Sequence, residues 1–446
     1  MEKLYITDFG AREGELCTSS IQKALDQSTA EGGKVVVIPK GTFITGTINL
    51  GKSSLEIQKG AVLKGSPNLC DYPSFGYTHA EMGDTTSMIY AINSDNIKIY
   101  GEGVIDFDGD NFFTKGDYLI PEAKVELTQE QVEECTLRIM GNDKRVNQPI
   151  FFLRCKNVKI EGILLKNSPC WTITFCECVN VKALYLNIEN SLNLPNNDGI
   201  HIASSRNVLV HGCEMSCGDD CIAITCITDW NVHCENIIVS DCNLKSCSKA
   251  IVIGYMHSIV RNVVISNCII RESNRALAIM ACARTSLVEH VRVTNMLLET
   301  KIRAGCWWGN GEPIAIFSTY HHMNNRQEIP KRNILKNIRD VHFENISCTG
   351  ENLIGVVGEG KNMENITFNN ISMELKASKN RVLKGRSVDI SPSQNSPEAP
   401  SDENEYWLLI KDVSGITFSN IYVADFCRKK PQACLIDCEN VTLNYI

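Results

Sequence analysis

The chain of 446 residues lacks the features that would place it in a membrane or on a nucleic acid. No apolar run reaches roughly 18 residues, so no membrane-spanning helix is predicted. The opening MEKLYITDFG lacks the apolar core of a secretory signal, which leads us to expect a cytoplasmic protein. The 44 basic residues form no cluster and face 52 acidic ones, so neither nucleic acid nor membrane is expected as a partner. The sequence leaves the oligomeric state open.

Cysteine pairs at the spacing of metal ligands are also missing, although cysteine itself is abundant. The 21 cysteines include no Cys-x-x-Cys pair, so a zinc site is not expected, and no other metal or cofactor is predicted. An odd number excludes complete pairing into disulfides. Most of these cysteines stand inside apolar, strand-like segments, where a thiol behaves as a small buried apolar group. We therefore predict reduced, structural cysteines.

One sequence phrase recurs along the chain: an asparagine, an alternating strand, a polar turn and a second short strand. Its starts at Asn157, Asn180, Asn207, Asn236 and Asn262 are separated by 23, 27, 29 and 26 residues. Repeats of roughly 20 to 30 residues built from short strands indicate a solenoid of β coils. We predict an all-β, single-stranded, right-handed parallel β-helix that forms one domain over residues 1–446, with asparagine and cysteine ladders inside. A β-propeller would need longer repeats of about 40 residues.

The start of the chain is predicted to cap the solenoid, because an open β-helix exposes its edge strands. Residues 1–45 contain an amphipathic helix from Thr18 to Thr29, with Thr18 or Ser19 as its N-cap, followed by the first strands.

Two segments do not follow the repeat and are predicted to be insertions, namely residues 110–148 and 377–404. The first contains a helix near Thr128 to Arg138 that opens with a capping box of Thr128 and Gln131. The second is rich in proline and serine and is predicted to be a surface loop. Insertions in solenoids tend to lie on one face, so both are expected to frame a binding cleft.

Three aspartates stand at the ends of two successive coils. Asp198 precedes a glycine, and Asp219 and Asp220 follow one about one coil later, so the two groups should stack on the same face. Close carboxylates repel, and at least one pKa should rise and leave a protonated acid beside ionised groups. Hydrolysis of a glycosidic bond by direct displacement requires such a set. A calcium site or a solvated turn is the alternative.

The passages around these aspartates resemble glycoside hydrolase family 28, the polygalacturonase family of parallel β-helices. The similar passages are GEGVIDFDG from Gly101, RVNQPIFFLRCKNVKIEGILLKNSPCWTI from Arg145, Asn-Asn-Asp-Gly where the family has N-T-D-G, and Gly-Asp-Asp. The resemblance covers most of the chain. It implies that Asp219 is the general acid, that Asp198 and Asp220 hold and activate water with inversion at the anomeric carbon, and that no metal or cofactor takes part.

The next two coils depart from the family pattern. Where the family has G-H-G, this chain has Ser248-Lys249-Ala250. The family next has R-I-K, whose cations hold the substrate's carboxylate. A constant spacing of 29 residues aligns this motif with Ala278-Ile279-Met280, and a shifted alignment would place Arg275 there instead. The predicted column below the acids is then Lys249, Met280 and Trp307 or Trp308. Such a column suits a neutral sugar better than a uronate, unless Arg275 or Arg303 rebuilds a uronate site.

Further substrate-binding candidates lie in polar turns near these coils. Trp307 and Trp308, adjacent in a glycine-rich turn, are predicted to form a platform for a sugar ring, with packing under a loop as the alternative. Glu312 is a candidate for binding a hydroxyl group. Asn197 directly precedes Asp198 and is a candidate for binding substrate. His201 follows three residues after Asp198 and is a candidate for contact with the substrate, with a structural role as the alternative.

These features predict an inverting, exo-acting glycoside hydrolase for a small plant-derived oligosaccharide or glycoside. A polygalacturonase acting on galacturonan and a non-catalytic carbohydrate-binding β-helix are the alternatives. A lyase of the same fold would need calcium and an arginine base, and the Gly-Asp-Asp arrangement fits hydrolysis better.

Overall fold

The computed structural model describes residues 2–79, 81–113, 118, 126–137, 145–226, 232–319, 332–380, 406–424 and 432–446. The chain forms a right-handed parallel β-helix, as predicted. The strands in the described part of the chain build one sheet of 22 strands, sheet A, and one of 12 strands, sheet B. Each strand of these two sheets pairs in parallel with the equivalent strand of a neighbouring coil, so successive coils follow the same path.

The strands in chain order are β1 (Lys3–Tyr5), β2 (Val35–Ile38), β3 (Gly41–Thr45), β4 (Ile48–Asn49), β5 (Ser54–Ile57), β6 (Ala61–Gly65), β7 (Thr78–His79), β8 (Gly83–Asp84), β9 (Ile89–Ile92), β10 (Lys98–Gly101), β11 (Val104–Asp106), β12 (Ile150–Leu153), β13 (Lys156–Glu161), β14 (Leu164–Lys166), β15 (Ile173–Cys176), β16 (Val179–Leu184), β17 (Asn187–Glu189) and β18 (Ile200–Ala203). They continue as β19 (Arg206–His211), β20 (Glu214–Cys217), β21 (Ile222–Thr225), β22 (Cys234–Ser240), β23 (Asn243–Ser246), β24 (Lys249–Gly254), β25 (Ile259–Ser266), β26 (Ile269–Ser273), β27 (Arg275–Met280), β28 (Leu287–Thr300), β29 (Glu312–Phe317), β30 (Ile338–Gly350), β31 (Ile354–Val357), β32 (Met363–Leu375), β33 (Tyr406–Lys411), β34 (Ser414–Val423), β35 (Gln432–Ile436) and β36 (Glu439–Tyr445). Sheet B contains β4, β9, β12, β15, β18, β21, β24, β27, β29, β31, β33 and β35; β7 and β8 form a small antiparallel pair, and all other strands belong to sheet A.

Like residues stack on like residues through the core. In sheet B the column Ile173, Ile200, Ile222, Ile251 and Leu277 runs through five coils in register. All five side chains are fully buried. Burial of such columns supplies the main favourable free energy of a fold whose coils contact only their neighbours.

The asparagine ladder lies outside the coils, so its predicted interior position is wrong. The amides of Asn157, Asn180 and Asn207 each donate to the preceding rung at 3.0 Å, on the exposed surface. These asparagines adopt a left-handed backbone at the turn, with φ of 55° to 59°, which asparagine tolerates better than most residues. Outside, water can satisfy the remaining amide groups.

The cysteine ladder does lie inside. Cys213, Cys242 and Cys268 are buried on successive coils. The cysteines in the described part of the chain are free thiols. Their burial agrees with the predicted structural role.

The N-terminal cap is the helix α1 (Thr18–Ala30), which covers the first coil with Ile21, Ala24 and Leu25. The N-cap is Cys17, without a side-chain cap, so the expected cap by Thr18 or Ser19 is wrong. The hydroxyl of Thr18 instead accepts a hydrogen bond from the backbone of Gly46 at 2.8 Å. Among the described residues, no helix combines the length and apolarity needed to span a membrane.

The two insertions meet on one side of the solenoid. The first carries the helix α2 (Gln129–Glu134), and the predicted capping box of Thr128 and Gln131 is present. Asn380, at the start of the second insertion, accepts a hydrogen bond from Gln131 at 2.9 Å and donates one to Glu134 at 3.1 Å. The helix ends at Glu134, before the predicted end at Arg138. Of the two insertions, residues 114–117, 119–125, 138–144 and 381–404 lie outside the described residues.

Candidate active site

The turns that precede three strands of sheet B bring the predicted acidic residues together. Asp198 and Asp220 each stand two residues before the paired residues Ile200 and Ile222 of β18 and β21. Lys249 occupies the same place before Ile251 in β24. Because adjacent coils are about 4.8 Å apart, the two carboxylates and the cation follow one another along one face, as predicted.

Asn197 holds the two acidic turns together and does not line the pocket, so its predicted role in substrate binding is wrong. Its side chain is fully buried. Its carbonyl oxygen accepts hydrogen bonds from the backbone of Gly218 at 2.7 Å and of Asp219 at 3.1 Å. Its amide donates to the carbonyl of Ser191 at 2.7 Å. A Cβ at Gly218 would lie 2.3 Å from the carbonyl oxygen of Leu194, so only glycine fits there.

Asp219 is fixed by backbone donors. Its Oδ2 accepts the backbone N–H of Asn196 at 2.9 Å, and its Oδ1 accepts that of Asp220 at 2.9 Å. The hydroxyl of Ser246, one coil further on, donates to its backbone carbonyl at 2.7 Å. The carboxyl group of Asp219 is therefore held in one orientation before any substrate binds.

Asp198 sits in the most desolvated position of the three. Burial raises its pKa well above the ordinary value, and the neighbouring charges of Asp219 and Asp220 raise it further. Its Oδ1 is buried and has no hydrogen-bond partner in the structure. This agrees with the expectation that close carboxylates retain a proton.

His201 lies beside Asp198, with Nδ1 3.5 Å from Oδ2 of Asp198 and Nε2 3.0 Å from the hydroxyl of Thr225. Its ring centre lies 3.9 Å from that of Trp171, with the two ring planes tilted by 33°. Burial lowers the pKa of His201 well below its ordinary value, so the ring is neutral near pH 7. His201 reaches the pocket, as predicted.

A pocket of about 70 Å³ opens over these groups. Nζ of Lys249 lies 3.5 Å from Oδ1 of Asp220 and 5.8 Å from the ring centre of Trp308. Within the described part of the chain, no group of His, Cys, Asp and Glu is arranged to hold a metal ion. The lining consists of Glu81, Trp171, Asn196, Asp198, His201, Asp219, Asp220, Ala223, Thr225, Lys249, Val252, Tyr255 and Trp308.

The predicted column below the acids is wrong in register. Arg275, and not Ala278, pairs with Lys249, because the coil between them is three residues shorter than the assumed spacing. Met280 pairs with Gly254 and is 0% exposed, packed in an apolar cluster with Ala223 and Val252 of the pocket lining but not itself part of that lining. Met280 is therefore a core residue and does not bind substrate.

Neither arginine named as a possible uronate ligand lines the pocket. Arg275 forms a two-point ion pair with Glu312, at 3.1 and 3.3 Å. Glu312 is thus the counterion of Arg275, in place of the predicted hydroxyl ligand. Arg303 is buried and pairs with Glu134 of α2.

The two adjacent tryptophans have different environments. Trp307 is 1% exposed and its Nε1 donates to the carbonyl of Glu134 at 2.7 Å, so the expected sugar platform at this residue is wrong. Trp308 is half-buried and lines the pocket. The alternative of packing under a loop therefore holds for Trp307, and Trp308 remains available to a sugar ring.

Sequence reasoning missed Glu81, an exposed residue on the pocket lining. Glu81 lies in the turn between β7 and β8, and its backbone N–H donates to Nδ1 of His79 at 3.2 Å. This turn stands outside the repeated phrase, so the sequence offers no signal for it.

The tryptophan pair gives a prediction that separates binding from stability. Trp308→Ala should raise KM about 3- to 10-fold, the value of one aromatic stacking contact, with the melting temperature nearly unchanged. Trp307→Ala should lower the free energy of unfolding by about 3–5 kcal/mol, because it leaves a cavity under α2. Steady-state kinetics and thermal denaturation of both variants check this. Equal effects of the two variants on KM would contradict the assignment.

The desolvation of Asp198 predicts that Asp198→Asn stabilises the protein near pH 7. The carboxyl group of Asp198 has a higher pKa in the folded chain than in the unfolded chain. Its contribution to stability is therefore fully present below the pKa of the unfolded chain and is lost as the pH rises through the pKa of the folded chain. Asparagine does not titrate, so we expect the melting temperature at pH 7 to rise by roughly 1–4 °C and the gain to shrink towards pH 4. Thermal denaturation across this pH range checks it, with Asp8→Asn on the exposed surface as control. A gain independent of pH would refute the cause given.

Comparison with known proteins identifies the family. The family model described as glycosyl hydrolases family 28 matches residues 29–390. The endo-polygalacturonase of Pectobacterium carotovorum subsp. carotovorum is 24% identical over 371 residues, covering 81% of this chain and 85% of that protein. The exo-poly-alpha-D-galacturonosidase of Dickeya chrysanthemi is 30% identical over 253 residues, covering 49% of this chain and 41% of that protein.

The matched stretches span less than half the length of the first curated relatives. The solved structure of the family 28 exopolygalacturonase of Yersinia enterocolitica aligns with a TM-score of 0.73 at 20% identity, over 99% of this chain and 78% of that one. That likeness shows the shared β-helix fold. Since the family model covers most of the chain, this protein belongs to glycosyl hydrolases family 28.

Proposed function

We propose that the protein hydrolyses a glycosidic bond with inversion at the anomeric carbon. The observation that carries the proposal is the cluster of Asp198, Asp219 and Asp220, buried at equivalent turns of adjacent coils inside one pocket. Inverting hydrolysis requires one carboxylic acid for the leaving oxygen and one carboxylate that activates water on the opposite face of the sugar. A cluster that retains one proton contains both forms.

In this proposal Asp219 protonates the leaving oxygen, and Asp198 and Asp220 hold the attacking water. Asp219 is kept in place by the backbone of Asn196 and Asp220. The proton retained by the three coupled carboxyls belongs to the cluster as a whole. Its transfer to the leaving oxygen and the removal of a proton from water restore the starting state after each turnover.

We propose exo action because aromatic side chains bound the pocket on two sides. Trp171 lines the side of the earlier coils, with its ring edge-on to His79 at 5.0 Å. Trp308 lines the side of the later coils, above Lys249. A pocket bounded in this way admits a chain end or a small glycoside more readily than the middle of a polymer.

A polygalacturonase is the second candidate, favoured by the names of the relatives, which act on polygalacturonate. In this reading Lys249 would be the cation of the pocket for the uronate carboxylate.

Product analysis tests this proposal. The protein is incubated with aryl glycosides, oligogalacturonides, polygalacturonate and plant glycosides, and early products are separated by size. We expect small sugars from the first time points. Early fragments of intermediate length from a polymer would show endo action, and hydrolysis confined to galacturonides would favour the second candidate.

A further inference from the structure

The turn that follows β24 has an unusual backbone. Gly254, Tyr255 and Met256 are consecutive, and all three have positive φ, at 98°, 99° and 45°. Only glycine fits at the first position, because a Cβ there would lie 2.0 Å from the carbonyl oxygen of Met280. A bulky residue rarely adopts a positive φ, so the backbone of Tyr255 is strained. Strained residues concentrate at functional sites, where the surrounding structure imposes their conformation.

Contacts with the following coil hold this turn in place. The backbone N–H of Tyr255 donates to the carbonyl of Met280 at 2.8 Å, and the carbonyl of Tyr255 accepts the N–H of Ser258 at 3.1 Å. The hydroxyl of Ser286 donates to the carbonyl of Met256. The conformation of the turn is therefore fixed by the solenoid before any substrate binds.

Tyr255 lines the pocket at the end of the strands opposite to the carboxylates. Asp220 stands before β21 and Lys249 opens β24, whereas Tyr255 directly follows β24. Between these two ends, Ala223 and Val252 line the pocket from paired positions of β21 and β24. Tyr255 is half-buried and packs against the apolar cluster that contains both of them. The pocket therefore has a charged end, where the proposed chemistry takes place, and an apolar end bounded by Tyr255.

We infer that Tyr255 is a substrate-binding residue, whose ring contacts an apolar part of the bound glycoside. A sugar ring presents C–H groups on its faces, and an aromatic ring offers a large apolar surface to them. Glycine or asparagine would adopt the backbone of this position with less strain. A contact with substrate accounts for a tyrosine that is held there at this cost. The assignment rests on the proposed glycosidase function and adds a substrate contact to the same pocket.

Variants of Tyr255 separate substrate binding from the shape of the turn. Tyr255→Gly removes the ring and relieves the backbone, since glycine adopts positive φ freely. We expect KM for the best substrate of the glycoside panel to rise about 3- to 10-fold, the value of one aromatic contact, with kcat nearly unchanged. Tyr255→Phe retains the ring and should leave KM nearly unchanged. Steady-state kinetics measure both variants.

The matched control is Tyr185→Gly. Tyr185 directly follows β16 and also has a positive φ, at 52°, but it is 58% exposed and stands outside the pocket lining. Loss of its ring should leave KM unchanged. Tyr255→Asn guards against misfolding of the glycine variant, because asparagine tolerates a positive φ and also lacks the ring. An unchanged KM in Tyr255→Gly and Tyr255→Asn, or equal increases of KM in Tyr255→Phe and Tyr255→Gly, would overturn the inference.

Binding distinguishes failure of this inference from failure of the proposed function. If no glycoside of the panel is hydrolysed, the proposed function fails, but NMR titration of Asp219→Asn and of Asp219→Asn/Tyr255→Gly with the same glycosides still decides the contact. Weaker binding by the double variant supports the role of Tyr255. Equal affinities of the two proteins overturn it, and binding by neither overturns both proposals.

Discussion

Asp219→Asn should lower kcat about 1,000-fold, within the range expected when a general acid is lost. Asparagine has nearly the same shape, but it cannot give a proton to the leaving oxygen. The single carbonyl oxygen of asparagine can still accept one of the two backbone N–H groups, of Asn196 or of Asp220, so the side chain stays near its place and KM should change much less than kcat. The measurement is kcat on the best substrate of the glycoside panel.

Two controls separate loss of chemistry from loss of structure. Asp241→Asn removes a carboxylate that is about half-exposed and lies beside His211, and it should leave kcat within twofold. An aryl glycoside with an acidic phenol as leaving group needs less protonation, so it should recover part of the rate with Asp219→Asn. An equal loss on all leaving groups would count against Asp219 as the acid.

Glu134→Ala should be the most destabilising single change among the polar residues, at about 3–5 kcal/mol. Arg303 is 1% exposed, and its guanidinium group bonds to Glu134 and to the backbone carbonyl of Glu272. Removal of Glu134 leaves this buried charge without its nearest partner. Chemical denaturation followed by tryptophan fluorescence measures the effect, because Trp307 lies directly under Glu134.

The matched control is Glu133→Ala, one residue earlier in α2 on its exposed side. It should change the free energy of unfolding by no more than about 0.5 kcal/mol. If Glu134→Ala were as mild as this control, the pair with Arg303 would not be what fastens the first insertion to the coils.

The fold and the acidic cluster could be predicted because both follow from short sequence patterns that recur along the chain. The alternation of Val and Ile with polar residues predicted the strands, and the recurring asparagine predicted the length of each coil. Two acidic turns one coil apart must then stack, which places Asp198 beside Asp219 and Asp220. The capping box at Thr128 and Gln131 was equally local and was confirmed.

The register of the later coils was not predictable from a constant spacing. The step from Asp220 to Lys249 is 29 residues, whereas the step from Arg275 to Glu312 is 37. Turns between strands of a β-helix vary in length, while hydrogen bonding keeps the strands aligned. A spacing rule therefore selected Ala278 where the structure places Arg275.

Contacts between segments that are distant in the sequence could not be predicted either. Glu134 and Arg303 are 169 residues apart, and the backbone carbonyl of Glu134 also accepts the Nε1 hydrogen of the buried Trp307. Glu81 comes from a turn outside the repeats. Asn197 was assigned to the substrate because it adjoins Asp198, but adjacency in the chain does not show which way a side chain points.

The stereochemistry of the first product tests the central claim most directly, namely that the three aspartates perform inverting hydrolysis. Proton NMR during the first minutes of hydrolysis by wild type, on the best substrate of the panel, reads the anomeric configuration before mutarotation. We predict the opposite configuration to that of the substrate, and no product from Asp219→Asn on the same time scale. A first product of retained configuration, or undiminished hydrolysis by Asp219→Asn, would contradict it.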